Sequence, residues 1–440
     1  MLLDQTLLML PFRRWRSMAK IIQVIGAVAA VSCAVPVYAT DGYFSNGYGI
    51  KSKGRAGVSL VETSDAFGGA NNPATIAWTA DRFDGGVDWF RPARDAERTG
   101  PATPFNGQTT SSSNDFFIPE FGLKYSINND FAVGLTVYGN GGMNTDYSPG
   151  QLNLGPGATG LNLLAGPGRL GVDLNQLLIA PTVAWKFTPN QSIGLAPLIG
   201  YQQFKAYGLA AFSSLSQDPS ALTDKGYDHA FGVGVRIGYL WNISPTFSAG
   251  AAYSSPVFMQ RFKVYRGLFA ENGSFDIPQN AGVGVGWQAL PTLHVGVDYK
   301  WIDYAGVASV GNSGSNAGLL GQDNGPGFGW HSINVVKVGA DWKALEQLTL
   351  RAGYSYNDNP IHSSDVTFNI LAPGVIQHHL TVGATYVFGR QELSLAYMHG
   401  FYNSVSGESR FVAFGMAPAG TRETISMYQD SFGLQYSLAF

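Results

Sequence analysis

Alternation of apolar and polar residues, repeated many times along the chain, constrains the fold more than any other feature. In residues 293–301 every odd-numbered residue is leucine, valine, tyrosine or tryptophan, and every even-numbered one is histidine, glycine, aspartate or lysine. A period of two places the apolar side chains on one face of a β-strand. Fourteen such segments can be read after residue 82: 83–90, 117–127, 131–138, 177–187, 193–201, 227–241, 247–253, 282–287, 293–301, 333–342, 348–356, 380–388, 393–397 and 428–440.

The connections between these segments alternate in length. Six are short and turn-like, at 127–130, 188–191, 242–246, 289–292, 344–347 and 388–391. Seven are long and begin near residues 91, 140, 203, 255, 302, 357 and 400. Tight turns on one side and long loops on the other are typical of outer membrane β-barrels. The sequence therefore predicts an all-β fold, a 14-stranded antiparallel transmembrane β-barrel over residues 83–440, with both termini on the periplasmic side.

The last strand ends on an aromatic residue, Phe440. In residues 431–440 the even-numbered residues are all phenylalanine, leucine or tyrosine, and the odd-numbered ones are small or polar. One face of such a strand suits lipid and the other suits a wet interior. The segment resembles the C-terminal strand by which outer membrane barrels are recognised for assembly. Outer membrane lipids and the barrel assembly machinery are therefore expected partners.

Composition excludes two other classes of protein. Charged residues make up 13% of the chain and apolar residues 45%, yet no stretch after the N-terminus approaches 18 consecutive apolar residues. A helical membrane protein is therefore excluded. The net charge of −3 gives no basic surface, so nucleic acid is not an expected partner.

The N-terminus reads as a secretory signal over residues 1–39. Basic residues precede an apolar run, and the small-residue sequence ending at Ala39 is a cleavage site before Thr40. Met18 is an alternative start, because a signal of ordinary length follows it. Cys33 is the one cysteine of the chain and lies inside this segment, so an acylated lipoprotein is the alternative to a cysteine-free mature chain.

Residues 40–82 do not alternate, and they carry the motif by which the chain resembles a known family. A glycine-rich stretch is followed by an acidic residue and then by Asn-Pro-Ala, in the positions Gly54, Ala56, Gly57, Asp65, Asn72, Pro73 and Ala74. In this order the chain resembles the FadL/TodX family of outer membrane transporters for long-chain fatty acids and other hydrophobic compounds. Further similarity lies in residues 119–144, 277–306 and 350–361.

The resemblance implies that residues 40–82 form an N-terminal hatch that plugs the barrel lumen. A fourteen-strand barrel is too wide to be filled by its own side chains, so a plug or an open pore is needed. Three glycines at Gly282, Gly284 and Gly286 share one face of a strand and leave room for such a plug. The alternative is a disordered periplasmic leader.

The resemblance also implies a lateral opening in the third strand, through which a lipophilic molecule leaves into the membrane. The matching residues are Gly139, Asn140, Gly141 and Gly142. Glycines weaken a strand and favour a bulge or a gap. The alternative is that these residues simply begin the long loop after the third strand.

Leucines in the loop that follows predict a first contact site for the substrate. They are Leu152, Leu154, Leu161, Leu163 and Leu164. Exposed apolar patches mark binding sites, and family members are thought to capture substrate in a groove between extracellular loops. The alternative is packing of one loop on another.

A deeper lumen pocket is expected where the start of the mature chain meets the barrel wall. Family analogy points to Tyr43 and Phe44. A carboxylate ligand would need a lumen-facing cation, and strand parity places Arg236, Lys337 and Arg351 inward. The alternative role of these cations is to pair with hatch carboxylates, for which Glu62 and Asp65 are the candidates.

The predicted function is passive transport of hydrophobic small molecules, such as long-chain fatty acids or aromatic hydrocarbons, across the bacterial outer membrane. No cofactor, metal or enzymatic activity is predicted. Two alternatives stay open. A general porin would need an open lumen, and a lipid-hydrolysing barrel would need a serine and histidine near the lipid interface.

Overall fold

The computed structural model describes residues 41–153 and 159–440. The predicted signal segment 1–39, with Met18 and Cys33, lies outside the described residues. Within them fourteen long strands run antiparallel: β1 Arg82–Thr99, β2 Phe116–Ser126, β3 Phe131–Tyr147, β4 Leu170–Thr188, β5 Gln191–Tyr207, β6 Asp228–Ser244, β7 Phe247–Ser254, β8 Asn280–Leu290, β9 Leu293–Ile302, β10 Ile333–Lys343, β11 Leu348–Asn357, β12 His378–Phe388, β13 Gln391–Glu408 and β14 Arg422–Ala439.

The sheet closes on itself. Each strand pairs with the next along the chain, and β14 returns to pair with β1 from Arg82↔Ala439 to Thr99↔Arg422. Every described barrel strand therefore has a neighbour on both sides, which removes the unpaired edges that make open sheets prone to association. The 14-stranded antiparallel barrel predicted from the alternation is confirmed.

Shorter elements lie before β1 and in the long loops. Four short strands are Gly107–Thr110, Leu152–Asn153, Thr159–Leu161 and Phe258–Met259. The helical turns are Ile50–Lys53, Phe67–Gly69, Pro73–Ala77, Thr103–Phe105, Ala210–Leu215, Pro219–Ala221, Lys263–Tyr265, Ala270–Gly273, Tyr304–Gly306, Ala308–Gly311, Ser363–Asp365, Val366–Asn369 and Arg410–Ala413. Across both described ranges, no helix has the length and apolar character needed to cross a membrane.

Several strands extend further toward the loop side than the alternation predicts. β1 continues to Thr99, where the sequence predicts an end at Phe90. Burial still alternates in this extension, but outward residues such as Arg91 and Glu97 are charged. The extension projects beyond the lipid, so both faces are polar there and the apolar signal is lost although the strand persists.

Exposed apolar side chains cover the outer face of the barrel. In β14, Phe432 and Tyr436 are exposed while Ser431 and Ser437 are buried, as the alternation predicts. Phe432 stacks on Trp89 of β1 with ring centroids 5.8 Å apart. Such a surface is stable in contact with lipid acyl chains.

Residues 41–81, called here the N-terminal segment, lie inside the ring of strands. Their backbone amides donate to inward-facing side chains from strands on different sides of the ring. The Gly49 amide lies 3.1 Å from Glu120 of β2, and the Ser59 amide lies 2.7 Å from Asp298 of β9. The segment is almost wholly buried. These contacts take the place of the regular backbone ladder that its glycine-rich sequence does not form.

The Asn-Pro-Ala motif fixes one end of this segment to the wall. The Asn72 side chain accepts from the Ala74 amide at 3.1 Å and donates to the Leu60 carbonyl at 2.7 Å and the Tyr239 carbonyl at 3.0 Å. Pro73 begins a helical turn, a position where a missing amide hydrogen costs nothing.

Glycines of the barrel wall make room for the N-terminal segment. A Cβ atom on Gly282 would lie 2.9 Å from Leu60 Cδ1, and one on Gly286 would lie 2.9 Å from Val61 Cγ2. The predicted role of this glycine face is therefore confirmed. Side chains at these positions would push the segment away from the wall.

Candidate functional site

Charged residues of the N-terminal segment pair with charged residues of the wall. Lys53 Nζ lies 2.9 Å from Asp88 of β1, and Arg55 Nη1 lies 2.6 Å from Asp341 of β10. These side chains are mostly or wholly buried. Removing one partner of a buried pair leaves an uncompensated charge, so such pairs resist separation. The segment is thereby held to opposite stretches of the ring.

The two carboxylates singled out in the sequence lie within this charge network. Glu62 lies 3.2 Å from Arg55 Nη1 and 3.4 Å from His294 Nδ1. Burial raises the pKa of Glu62, and the nearby Arg55 opposes the rise. Burial also raises the pKa of Asp65, with a further contribution from the Asp84 carboxylate.

Arg236 and Arg351 face the lumen, as strand parity predicts. Arg236 Nη1 donates to the Gly69 carbonyl of the N-terminal segment at 2.9 Å. Arg351 Nε lies 3.0 Å from Asp341, which belongs to the wall. Each cation is therefore engaged within the protein, and neither partner is one of the hatch carboxylates expected from the sequence.

Lys337 also points inward from β10. Its ammonium lies 2.8 Å from Asp41 Oδ2 and donates to the Asn46 carbonyl as well. The sequence analysis offered an ion pair with a hatch carboxylate as the alternative role of this lysine. Lys337 forms such a pair, but with Asp41 in place of Glu62 or Asp65.

Lys300 is a lumen cation that the sequence analysis did not single out. Among the residues that the structure describes, its ammonium group has no hydrogen bond or ion pair, and its side-chain contact is with an aromatic ring. Its Nζ atom lies 5.2 Å from the Phe44 ring centroid, a cation–π distance. Lys300 lines a cavity of about 40 Å³ together with Asn46 and Asn280. Its place on the polar face of residues 293–301 was the signal that could have identified it.

Tyr43 and Phe44 lie in an aromatic cluster with residues from the loop between β9 and β10. The ring centroid of Tyr304 lies 5.0 Å from that of Tyr43 and 5.7 Å from that of Phe44. Trp330 lies 5.8 Å from Tyr43. Burial raises the pKa of Tyr304, which keeps its hydroxyl protonated so that it donates to the Asp41 carbonyl. Sequence reasoning missed Tyr304 and Trp330 because loop residues have no periodicity.

A small apolar cavity adjoins this cluster. Its volume is about 40 Å³, and Tyr43, Trp330, Phe90, Met143 and Met427 are among the side chains that line it. The volume is sufficient for a water molecule but not for a drug-sized ligand. A hydrophobic molecule would therefore enter only if the aromatic cluster moved.

The barrel wall loses its backbone ladder between β2 and β3. These strands pair only from Ser126↔Ala132 to Phe121↔Val137. Beyond Val137, β3 continues to Tyr147 and stays paired with β4 on its other side. The residues of β2 before Phe121 pair with β1 alone. The wall therefore has a break, without ladder hydrogen bonds, between β2 and β3 beside residues 139–142, while β3 itself runs through these residues without an interruption.

Residues 43–45 of the N-terminal segment occupy this break. The Ser45 amide donates to the Asn140 carbonyl at 3.1 Å, and the Gly142 amide donates to the Tyr43 carbonyl at 3.1 Å. Asn140 is an extra residue in the register between β3 and β4, which is the definition of a bulge. A Cβ atom on Gly141 would collide with the Tyr43 carbonyl. Glycine is required there for this close approach.

The loop leucines are mostly packed inside the extracellular loops. Leu152, Leu163 and Leu164 are fully buried in a large apolar cluster, and Leu161 is half-buried beside it. Leu154 lies outside the described residues. The described leucines therefore do not form the exposed apolar patch that the sequence predicts. They are buried because the loops pack on one another. These leucines belong to the same apolar cluster as the aromatic residues Tyr43, Phe44, Tyr304 and Trp330.

Comparisons with known proteins agree with this geometry. A family model described as "Outer membrane protein transport protein (OMPP1/FadL/TodX)" matches residues 38–409. A search of curated proteins found no significant match.

Several solved structures share the fold at low sequence identity. A Pseudomonas aeruginosa FadL homologue is 17% identical, with a TM-score of 0.66 over 91% of this chain and 100% of that one. The P. putida toluene transporter TodX is 16% identical, with a TM-score of 0.64 over 90% and 99%. The Ralstonia pickettii toluene transporter TbuX is 16% identical, with a TM-score of 0.59 over 90% and 99%. These likenesses concern the fold.

Proposed function

The chain belongs to the OMPP1/FadL/TodX family of outer membrane transport proteins, and from this premise we propose that it carries hydrophobic small molecules across the outer membrane passively and releases them sideways into the bilayer. One observation carries the proposal. The wall is broken between β2 and β3 beyond Val137, and residues 43–45 occupy the break through backbone hydrogen bonds to Asn140 and Gly142. Residues 43–45 would act as a gate, because their displacement would open the wall between β2 and β3.

The cost of opening this gate is modest. Displacing residues 43–45 breaks the hydrogen bonds of Ser45 with Asn140 and of Gly142 with Tyr43. It also breaks those that the Tyr43 and Phe44 amides donate to the Tyr304 hydroxyl. At about 1 kcal/mol net for each of these four bonds, the sum is roughly 4 kcal/mol. A substrate that buries about five methylene groups gains a similar amount, about 0.8 kcal/mol each. Binding of an apolar ligand can therefore drive the opening.

The proposed route runs through three places. The substrate first partitions into the apolar cluster of the extracellular loops, which contains Leu152, Leu163 and Leu164. It then enters the lumen pocket by parting Tyr43 and Phe44 from their aromatic neighbours. It leaves between β2 and β3 into the lipid. No energy input is needed, because the membrane is the more favourable solvent for such a molecule.

The substrate range is proposed from the family. The solved relatives include toluene transporters and a FadL homologue, so aromatic hydrocarbons and long-chain fatty acids are the two candidate classes. The pocket is rich in aromatic side chains, which suits the first class. Lys300 beside Phe44 would suit the carboxylate of the second. Arg236 and Lys337 are held in contacts with the N-terminal segment, and Arg351 pairs with Asp341 of the wall.

Two observations weigh against the rival functions. A general porin needs an open lumen, whereas the N-terminal segment is tied across the ring by buried ion pairs such as Lys53 with Asp88. The serine and histidine pair of Ser355 and His379, 3.2 Å apart, has no exposed surface. His379 Nε2 has no partner among the described residues, so a third, orienting group is missing there.

A reversible crosslink tests the gate. Cys33 is the one cysteine of the sequence and lies before the described residues, so Ser45→Cys with Asn140→Cys introduces one defined pair at the hydrogen-bonded position. In cells that lack their own transporter, uptake of labelled toluene and of a labelled long-chain fatty acid should stop after treatment with a short thiol crosslinker that reduction cleaves. Reduction should restore uptake. Each single cysteine variant is the matched control. Full uptake by the crosslinked protein would overturn the lateral route.

A further inference from the structure

Two fully buried side chains of the lumen wall have unused hydrogen-bonding atoms. His379 on β12 and Gln429 on β14 have no exposed surface. His379 Nε2 and both the Nε2 and Oε1 atoms of Gln429 have no partner among the described residues. A buried polar atom left without a partner is unfavourable. A bound molecule that supplied the partners would recover this loss.

The two side chains share one patch of the inner wall. In the register, His379 pairs with Gly400, and Gly400 pairs with Gln429. A Cβ atom on Gly400 would lie 2.6 Å from Gln429 Cγ and 2.9 Å from Gln429 Nε2. The glutamine side chain therefore lies across the glycine, on the side of β13 that leads to His379. We call His379 and Gln429 with Gly400 between them the polar ledge.

The hydrogen-bond network indicates which groups the polar ledge offers. Ser355 Oγ accepts from Asn46 Nδ2 at 2.8 Å, so its own hydrogen is free to donate to His379 Nδ1 at 3.2 Å. Nε2 then carries the imidazole hydrogen and is a donor. The Gln429 amide adds a donor and an acceptor. A hydroxyl group satisfies this set, because its oxygen accepts from the donors and its hydrogen is donated to Gln429 Oε1.

The polar ledge lies next to the cavity at the aromatic cluster but does not line it. Gln429 pairs with Pro92 of β1, and Pro92 and Met427 line that cavity together with Tyr43 and Trp330. A ligand that enlarged the cavity past Pro92 and Met427 would place its hydrocarbon part against the aromatic rings and its hydroxyl group on the ledge. This combination of one polar patch and an apolar wall is typical of small-molecule sites.

We propose that the polar ledge binds an uncharged hydroxyl group of the transported molecule, so that the lumen site takes hydrophobic alcohols and phenols. The proposal rests on the proposed transport function and names its substrate class. A pure hydrocarbon would leave the ledge unsatisfied. A carboxylate would need a free cation at the ledge itself. Arg94, which lines the cavity, donates to the Asn144 carbonyl. Lys337, two strands from His379 in the register, is paired with Asp41. Lys300 lies on β9 beside Phe44 and is not part of the ledge.

Three probes that share one ring test the proposal on the purified mature protein in detergent. Toluene, benzyl alcohol and benzoate are titrated by calorimetry, with partition into empty micelles subtracted. Benzyl alcohol should bind the wild-type protein about tenfold more tightly than toluene, as expected for one buried hydrogen bond. Gln429→Leu should remove this preference while it leaves toluene binding unchanged. Gln347→Leu, the same substitution in an exposed turn, is the matched control.

His379 provides a second, independent variant. His379→Gln keeps a donor and should keep the alcohol preference, whereas His379→Phe should lose it. Unchanged affinities for both probes in Gln429→Leu would mean that the ledge holds ordered water only and would overturn the proposal. An equal loss for toluene and benzyl alcohol would show a merely structural role and would also overturn it. So would tighter binding of benzoate than of benzyl alcohol.

Failure of this inference is distinguishable from failure of transport. If cells take up toluene through the wild-type protein but the protein shows no alcohol preference, only the ledge is wrong. If wild-type cells take up neither toluene nor benzyl alcohol faster than cells without the protein, the transport function is wrong as well.

Discussion

The phenol oxygen of Tyr304 lies 3.2 Å from the backbone nitrogen of Phe44 and accepts its hydrogen. The same oxygen accepts from the Tyr43 amide at 3.1 Å and donates to the Asp41 carbonyl. One loop hydroxyl thus holds the backbone from Asp41 to Phe44, which includes two of the three residues that close the break in the barrel wall. Tyr304 therefore couples the extracellular loops to the gate by hydrogen bonds, beside the ring contact of Trp330 with Tyr43.

Tyr304→Phe should loosen this gate. The change removes only the hydroxyl, so the buried Tyr43 amide loses its partner, while the Phe44 amide and the Asp41 carbonyl keep only their mutual hydrogen bond at 3.3 Å. The expected cost is about 1–3 kcal/mol. A cysteine reporter at Ser45 should react with a thiol reagent several-fold faster in the variant than in the otherwise wild-type protein. Tyr402→Phe, at an exposed tyrosine of β13, is the control. An unchanged reaction rate would contradict the role assigned to the hydroxyl.

Gly141→Val should displace residues 43–45. The new Cβ would collide with the Tyr43 carbonyl, which belongs to the backbone and cannot rotate away. We expect cells that carry the variant to become more permeable to small hydrophobic dyes while the barrel still assembles. Gly168→Asn is the control, because a Cβ there meets no other atom within 4 Å and asparagine tolerates its φ of +76°. Wild-type permeability in Gly141→Val would count against the gate.

Lys337→Met should destabilise the packing of the N-terminal segment. The Asp41 carboxylate, which has no exposed surface, would lose the ammonium that lies 2.8 Å away. Breaking a buried pair typically costs about 3–5 kcal/mol. Thermal unfolding followed by heat-modified mobility should shift downward. The double variant with Asp41→Asn removes both charges and should recover part of the loss, and a double variant as unstable as Lys337→Met would refute the pairing.

Lys300→Met separates the two candidate substrate classes. The change removes the positive charge beside Phe44 but keeps most of the side-chain length. If fatty acids are substrates through this cation, their uptake should fall about tenfold while toluene uptake stays unchanged. Lys343→Met, at the exposed end of β10, is the control. Equal uptake of fatty acids by Lys300→Met and the wild-type protein would exclude a head-group role for Lys300.

Asn72→Ala should weaken the anchor of the N-terminal segment. The change removes a cap on the Ala74 amide and two hydrogen bonds to the carbonyls of Leu60 and Tyr239. Each lost contact is worth about 1 kcal/mol, so the segment should become sensitive to added protease. Asn190→Ala, in a turn between β4 and β5, is the control. Equal protease resistance in both variants would show that the motif does not anchor the segment.

The sequence predicted which charged residues face the lumen better than it predicted the residues with which they pair. Arg236, Lys337 and Arg351 were placed inward by counting residues along their strands, and all three side chains are buried in the lumen. Their partners were not predictable in the same way, because Lys337 meets Asp41 across nearly three hundred residues of chain. The leucines of the long loop, such as Leu163, were expected at the surface and are buried, since hydrophobicity alone does not say which loop covers which.

The strand number, the order of the strands and their inward and outward faces follow from the sequence by itself, whereas the break in the wall between β2 and β3 does not. Apolar and polar residues alternate with a period of two within each strand, so the residues of one strand are enough to show which of its faces is apolar. The closing of that break by residues 43–45, the aromatic cluster around Tyr304 and the polar ledge at His379 and Gln429 were decided only by the tertiary structure. Those contacts join residues far apart in the chain, and their energy depends on distances that no local pattern encodes.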